Sequence, residues 1–108
     1  MINIKIFEKS NIILGIECSG HSGYAEFGSD IVCSAVSSIV GSCLLGLTKV
    51  LGAPLLHKQD DKNAYFKLML KENYQDEKVQ VLLKTTKLSL QEIANDYKKY
   101  IAIEIIGG

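Results

Sequence analysis

The sequence predicts a single α+β domain in the order ββαββααβ, a mostly single sheet covered by a central buried helix and a C-terminal helix pair. Three observations carry this. Apolar residues alternate at period two over several short stretches, and they recur at helical spacing over two longer ones. The chain has 108 residues, 47% of them hydrophobic, enough for one core and too few for two independent domains, so residues 1–108 are read as one unit.

Residues 2–7 and 12–18 place Ile2, Ile4, Ile6 and then Ile12, Leu14, Ile16, Cys18 on alternate positions, the period of half-buried strands, with the polar EKSN between them as a hairpin turn. Past Glu17 the periodicity fades, and Gly20, Gly23 and Gly28 fall within nine residues, which marks a loop with unusual backbone freedom. Asp30 or Ser29 then supplies an N-cap for a helix carrying Val32, Val36, Ile39, Val40, Cys43, Leu44 and Leu47, with Ser34, Ser38 and Ser42 as a separate stripe. Ile31 to Thr48 holds no charge for 18 residues, the length of a membrane span. Its serines, with Gly41 and Gly46, instead favour a buried helix packed by small residues, and no membrane is expected.

Leu51–His57 and Ala64–Leu70 read as two strands around a QDDKN turn, the first an edge or late-starting strand because of Pro54. Between Asp76 and Tyr100 the pattern is helical, and Ser89 followed by Glu92 has the form of a capping box, which predicts two helices, 76–87 and 90–98. The isoleucines of YIAIEII favour a last strand. No internal repeat or low-complexity segment is present.

Twelve basic residues balance twelve acidic ones, which argues against a charge-driven grip on nucleic acid or anionic lipid. MINIKIFEK alternates like a strand rather than a signal peptide, so the expected location is cytoplasmic. Cys18, Cys33 and Cys43 form no CxxC pair, as suits free thiols in a reducing compartment.

Chemistry concentrates in GHSGYAEFGSDIVCSAV, residues 20–36. A cysteine nucleophile needs a base or cation that keeps it as thiolate, and donors for the oxyanion formed on attack. Cys33 falls in the first turn of a helix, where the positive end of the dipole favours negative charge. His21 lies twelve positions upstream, across a glycine-rich loop able to fold it back. Asp30 serves as cap or as an orienting group for the imidazole. On residues alone Cys33 is a nucleophile, a buried thiol, or a metal ligand with Cys18, His21 and Asp30. The second tight ligand pair usual for zinc is absent, so neither metal nor cofactor is expected. Cys18 and Cys43 align with core positions, His57 reads as an edge residue, and Lys98 and Lys99 complement the end of a helix dipole.

GHSGYAEFGSDIVCSAVS resembles the signature of the bacterial ribosomal-processing cysteine protease family, the Asp-Ile-Val-Cys run being its specific part. The resemblance implies a cysteine endopeptidase that removes a short N-terminal extension from the precursor of large-subunit ribosomal protein number twenty-seven during ribosome assembly. His21 would be the catalytic histidine, Cys33 the nucleophile and Asp30 the acidic residue ahead of it, with Gly20, Gly23 and Gly28 in a loop that moves over the substrate. Family substrates present an apolar, aromatic-ending stretch before the cut, which suggests an apolar groove lined by Tyr24, Phe27, Val32, Ser34 and Ser37. The amides of Val32 and Cys33 are the expected oxyanion donors; the serine-glycine helix face suggests close packing with another helix, from the C-terminal pair or from a second subunit, and the resemblance implies a homodimer. Ser22 departs from the alanine common after the histidine and is expected to leave the dyad intact. The alternative is a non-catalytic module that binds the same ribosomal protein segment.

Overall fold

The structure, a computed structural model, describes residues 1–25, 30–72 and 74–107. The elements are β1 (Ile2–Lys9), β2 (Ile12–Ser19), α1 (Ile31–Leu45) with a π-helical extension Gly46–Val50, β3 (Leu55–Asp60), β4 (Tyr65–Leu70), α2 (Glu77–Asp96) and β5 (Ile101–Gly107). They form one five-stranded sheet in the order β3-β4-β2-β1-β5. All neighbours are antiparallel except β1 and β5. The turn joining β1 to β2 puts Ser10 and Asn11 at φ 50° and 65°, the double left-handed conformation that matches the twist of a two-residue hairpin.

Two crossover connections explain the layers. The chain leaves β2 through α1 and returns at β3 beyond β4; it leaves β4 through α2 and returns at β5 beyond β2 and β1. Both helices cover one face of the sheet. There Ile2, Ile4, Ile6, Ile16, Leu68 and Ile101 meet Val32, Val36, Val40, Cys43 and Leu47 from the first helix and Val79, Leu83, Leu90 and Ala94 from the second. The other face carries Lys5, Glu17, Tyr65 and Lys67, with the Tyr65 hydroxyl donating to Glu17 at 2.6 Å and the Lys67 ammonium over the Phe7 ring. Residues 31–50 are long and apolar enough to cross a bilayer, yet their Val32-Val36-Val40-Cys43-Leu47 stripe is packed into this core.

The α+β architecture follows the sequence, and two details differ. The predicted helix pair is one continuous helix, capped by Asp76, whose side chain accepts from the Val79 amide at 3.0 Å. Ser89 does not start a helix: its hydroxyl donates back to the Thr85 carbonyl at 2.9 Å, and Leu83, Thr86, Leu90 and Ala94 keep the buried stripe unbroken past it. The strand after α1 is both late-starting and at the sheet edge, as Pro54 implies: it begins at Leu55, because the amides of Leu51 and Ala53 close the preceding helix on the carbonyls of Gly46 and Leu47.

The second difference is a bulge. Phe7 pairs with Gly15 and Glu8 with Ile13, so Leu14 is left without a partner and the inward parity changes. Ile13, 1% exposed, is therefore the core residue in place of Ile12 and Leu14. The backbone polar groups of Ile13 are satisfied from the helix above. The Gln80 side-chain carbonyl accepts from the Ile13 N–H at 2.9 Å, and its NH2 donates to the Ile13 carbonyl at 2.8 Å and the Tyr74 carbonyl at 2.7 Å. Replacing this buried amide by leucine strands those groups, and Gln80→Leu is expected to lower unfolding free energy by about 2–4 kcal/mol in urea titrations. A loss under about 0.5 kcal/mol would contradict the role assigned to Gln80.

Candidate active site

The site begins where β2 ends. The Gly20 amide donates to the Ala64 carbonyl at 3.0 Å, which fastens the strand exit to the start of β4. Gly20 is required there on two counts: its φ is +93°, and a Cβ would come within 2.5 Å of the Met1 carbonyl oxygen. His21 follows, exposed on the rim. Ser22 then turns inward and is only 3% exposed. Gly23, at φ +77°, completes a tight turn that brings the Tyr24 amide to the Ser22 hydroxyl oxygen at 2.9 Å.

Asp30 caps α1 as the sequence predicts. Its Oδ1 accepts from the amides of Val32 and Cys33, each at 3.0 Å, and its carbonyl from the Ser34 amide at 3.1 Å. Its Oδ2 accepts a short hydrogen bond from the Ser22 hydroxyl. Burial pushes the Asp30 carboxyl up, but hydrogen bonds from the Ser22 hydroxyl, the Cys33 amide and thiol and the Val32 amide outweigh it, and the net shift is below the ordinary 3.8. The carboxylate is thus ionised inside the protein, held by the hydrogen-bond donors directed at it.

Cys33 is half-buried in the first turn of α1, and its Sγ accepts from the Ser22 amide at 3.4 Å. The other thiols are of a different kind. Burial, aided by the charge of Glu17, pushes Cys18 up to about 12; burial also raises Cys43, partly offset by a hydrogen bond with Thr86. Both stay protonated and inert at neutral pH.

Cys33 and His21 open onto one groove of about 1080 Å³ between α1 and the strands β2 and β4. Val36, Val40 and Phe66 give it an apolar wall, Ser34 and Ser37 lie along the helix side, and Gln59, Asp61 and Lys62 of the β3–β4 hairpin close one end. Gly20, Gly23 and Asp30 also border it.

Several expected site residues are placed elsewhere. Val32 is a core residue, 1% exposed, because it belongs to the stripe of α1 that packs on the sheet. Tyr24 stacks edge-on against Tyr97 and Tyr100, with ring centroids 5.9 and 5.1 Å away, instead of lining the groove. The amides of Val32 and Cys33 are engaged by Asp30 and are not open to an oxyanion. Phe27 and Gly28 lie outside the described residues.

Ser22, expected to leave the dyad intact, also joins the loop to the helix, its hydroxyl donating to Asp30 and its amide to Cys33 Sγ, a role the sequence does not signal. Nothing in the pattern of residues signals a bond between positions eight apart across a glycine loop. Nor does the sequence pair Gln59, Asp61 and Lys62 with a cysteine helix that precedes them; only the β3–β4 hairpin does. Among the described residues no group of three or more His, Cys, Asp or Glu side chains is arranged to hold a metal ion.

The family profile of cysteine protease Prp matches residues 1–102, from β1 to the start of β5. The ribosomal processing cysteine protease Prp of Bacillus subtilis is 33% identical over 95 residues, 84% of each chain. The crystal structure of SMU.848 from Streptococcus mutans superposes with a TM-score of 0.89 at 28% identity, over 100% of this chain and 96% of that one. An essential ribosomal processing protease Prp from S. aureus, crystallised with a covalently linked product peptide, shares the fold at a TM-score of 0.91 and 23% identity, over 97% and 99% of the two chains. Since the profile and the Bacillus relative both span most of this sequence, glycine loop and cysteine helix included, the chain belongs to the ribosomal processing cysteine protease family Prp.

Proposed function

We propose that this cysteine protease works through a His21/Cys33 dyad and removes the N-terminal extension from the precursor of large-subunit ribosomal protein number twenty-seven. The observation that carries the dyad is that one groove presents both side chains, with the Cys33 sulfur held at the start of α1. His21 takes the thiol proton, and the sulfur lone pair forms a bond to the scissile carbonyl carbon while the C=O pair moves onto oxygen. Collapse breaks the C–N bond, and His21 returns its proton to the leaving amine. Water then attacks the thioester, releasing the acid product and the Cys33 thiol.

The groove fits an extended apolar segment before the cut. Val36, Val40 and Phe66 contribute apolar lining, and the small Ser34 and Ser37 leave room for bulky side chains. The peptide complex known for the S. aureus relative supports the same kind of occupant here. Three free thiols suit a reducing cytoplasm. The exposed side of α1, with Ile31, Ser38, Ser42 and Leu45, is uncharged and suits pairing with a second copy.

Mixed with the precursor protein, the purified enzyme is expected to make a single cut near its N-terminus, read by product mass. Cys33→Ala should bind without cutting, and His21→Gln should lose about 100-fold or more in kcat. Cleavage by Cys33→Ala at the native rate would refute the dyad, and unchanged binding and cellular role without any cut would favour the non-catalytic module. Iodoacetamide at neutral pH should label Cys33 and spare Cys18 and Cys43 until the protein is unfolded, as mapped by peptide mass; labelling of Cys18 in the native protein would contradict its burial. Light scattering should give twice the chain mass of 11.9 kDa, and a stable monomer would remove the dimer.

A further inference from the structure

The amides expected to hold the oxyanion are occupied. Those of Val32 and Cys33 donate to Asp30 Oδ1, and that of Ser34 donates to the Asp30 carbonyl. Yet a thiol protease needs a donor aimed at the oxygen that gains charge on attack. In the tetrahedral intermediate that oxygen is attached to the carbon bonded to sulfur, so a group already directed at Cys33 Sγ stands beside it. Among the described residues one backbone donor is so directed: the N–H of Ser22, 3.4 Å from the sulfur.

We propose that the Ser22 backbone N–H is an oxyanion donor of this protease and that the Ser22 hydroxyl is the group that positions it. The proposal rests on Cys33 as nucleophile. Before attack the amide faces the sulfur and favours its negative charge. As the sulfur lone pair forms the S–C bond and the carbonyl pair moves to oxygen, the charge passes from sulfur to oxygen, and the same N–H meets it. On collapse the pair returns, the C–N bond breaks and the proton held by His21 goes to the amine nitrogen.

A donor contributes to catalysis in proportion to how little it must reorganise. Ser22 meets that requirement although it lies in a loop. It is buried, its hydroxyl donates to Asp30 Oδ2, and its oxygen accepts from the Tyr24 amide across the turn that Gly23 permits. The carboxylate that receives the hydroxyl is the one that caps the Cys33 helix, so amide and sulfur are referred to one anchor. Alanine at position 22 would retain the amide and release the anchor. It would also leave Asp30 Oδ2 short of a donor in a buried site.

Three variants of the full chain test this, with the precursor protein as substrate and iodoacetamide as an independent probe of Cys33. In the first, ligation replaces Ser22 by the matching α-hydroxy acid, so that an ester oxygen stands where the N–H was. Its kcat should fall about 100-fold with KM nearly unchanged. Ser22→Ala should lose roughly tenfold in kcat, Ser22→Thr should restore most of it, and alkylation of Cys33 at pH 7 should slow in the ester and alanine forms alike. If the ester form does not fold, by thermal unfolding, the alanine and threonine pair decides alone. A kcat within about twofold of the native enzyme in the ester form, or in Ser22→Ala, overturns the proposal when Cys33→Ala is inactive. Cleavage by Cys33→Ala would instead overturn the nucleophile on which it rests.

Discussion

A buried, ionised carboxylate ties the loop leaving β2 to the first turn of α1, and the geometry of the site follows from it. Asp30 accepts the amides of Val32 and Cys33 on one oxygen and the Ser22 hydroxyl on the other. An isolated buried charge is costly, but hydrogen-bond donors directed at it compensate, which is why its acidity is strengthened despite burial. The arrangement has a consequence for chemistry. By engaging the helix-start amides the carboxylate withdraws them from substrate. What it supplies in return is placement: the sulfur on the helix and the amide of Ser22 in the loop meet because both are fastened to the same carboxylate.

The sheet puts this junction where a peptide can reach it. β2 and β3 run in the same direction with β4 between them, so their carboxyl ends lie on one side of the sheet, and the crossover through α1 carries the chain from the carboxyl end of β2 to the amino end of β3. That is the side on which open sheets leave a crevice. Gly20 is clasped there between Met1 and Ala64, and the far wall is made by the residues around the β3–β4 turn. The rigid sheet sets one wall of the groove and α1 the other, while His21 reaches the rim from the exit of β2.

Much of this could be read from the residues. The alternation of Ile2, Ile4 and Ile6, the cap at Asp30 and the Val32-to-Leu47 stripe each depend on nearby positions and on the period of one element. What escaped reading depends on contacts between elements. The bulge opposite Phe7 moves Ile13 inward because Gln80, 67 positions away, satisfies its backbone. Ser89 imitates a helix start, but its hydroxyl bonds back to the turn before it while Leu83 and Leu90 on either side are already committed to the core. Tyr24, an apparent groove residue, is drawn away by the rings of Tyr97 and Tyr100 from the other end of the chain. In the site, the sequence marks His21, Asp30 and Cys33, whereas the roles of Val32 and Ser22 become visible only once the direction of each side chain is known.

The measurement closest to the centre of this account follows the Asp30 carboxyl carbon and the amide protons of Ser22, Val32 and Cys33 together by NMR as the pH is lowered. Because hydrogen bonding favours the carboxylate in the fold, its stabilising contribution is fully present above the ordinary value of 3.8 and is lost only as the pH falls through a lower native one. Asp30 is therefore expected to titrate below 3.8, with the Val32 and Cys33 amides shifting in step as their common partner is protonated and the Ser22 amide following through the Ser22 hydroxyl, which donates to the same carboxylate. A midpoint at or above 3.8, or a Ser22 amide indifferent to that titration, would contradict the claim that one carboxylate holds loop and helix together.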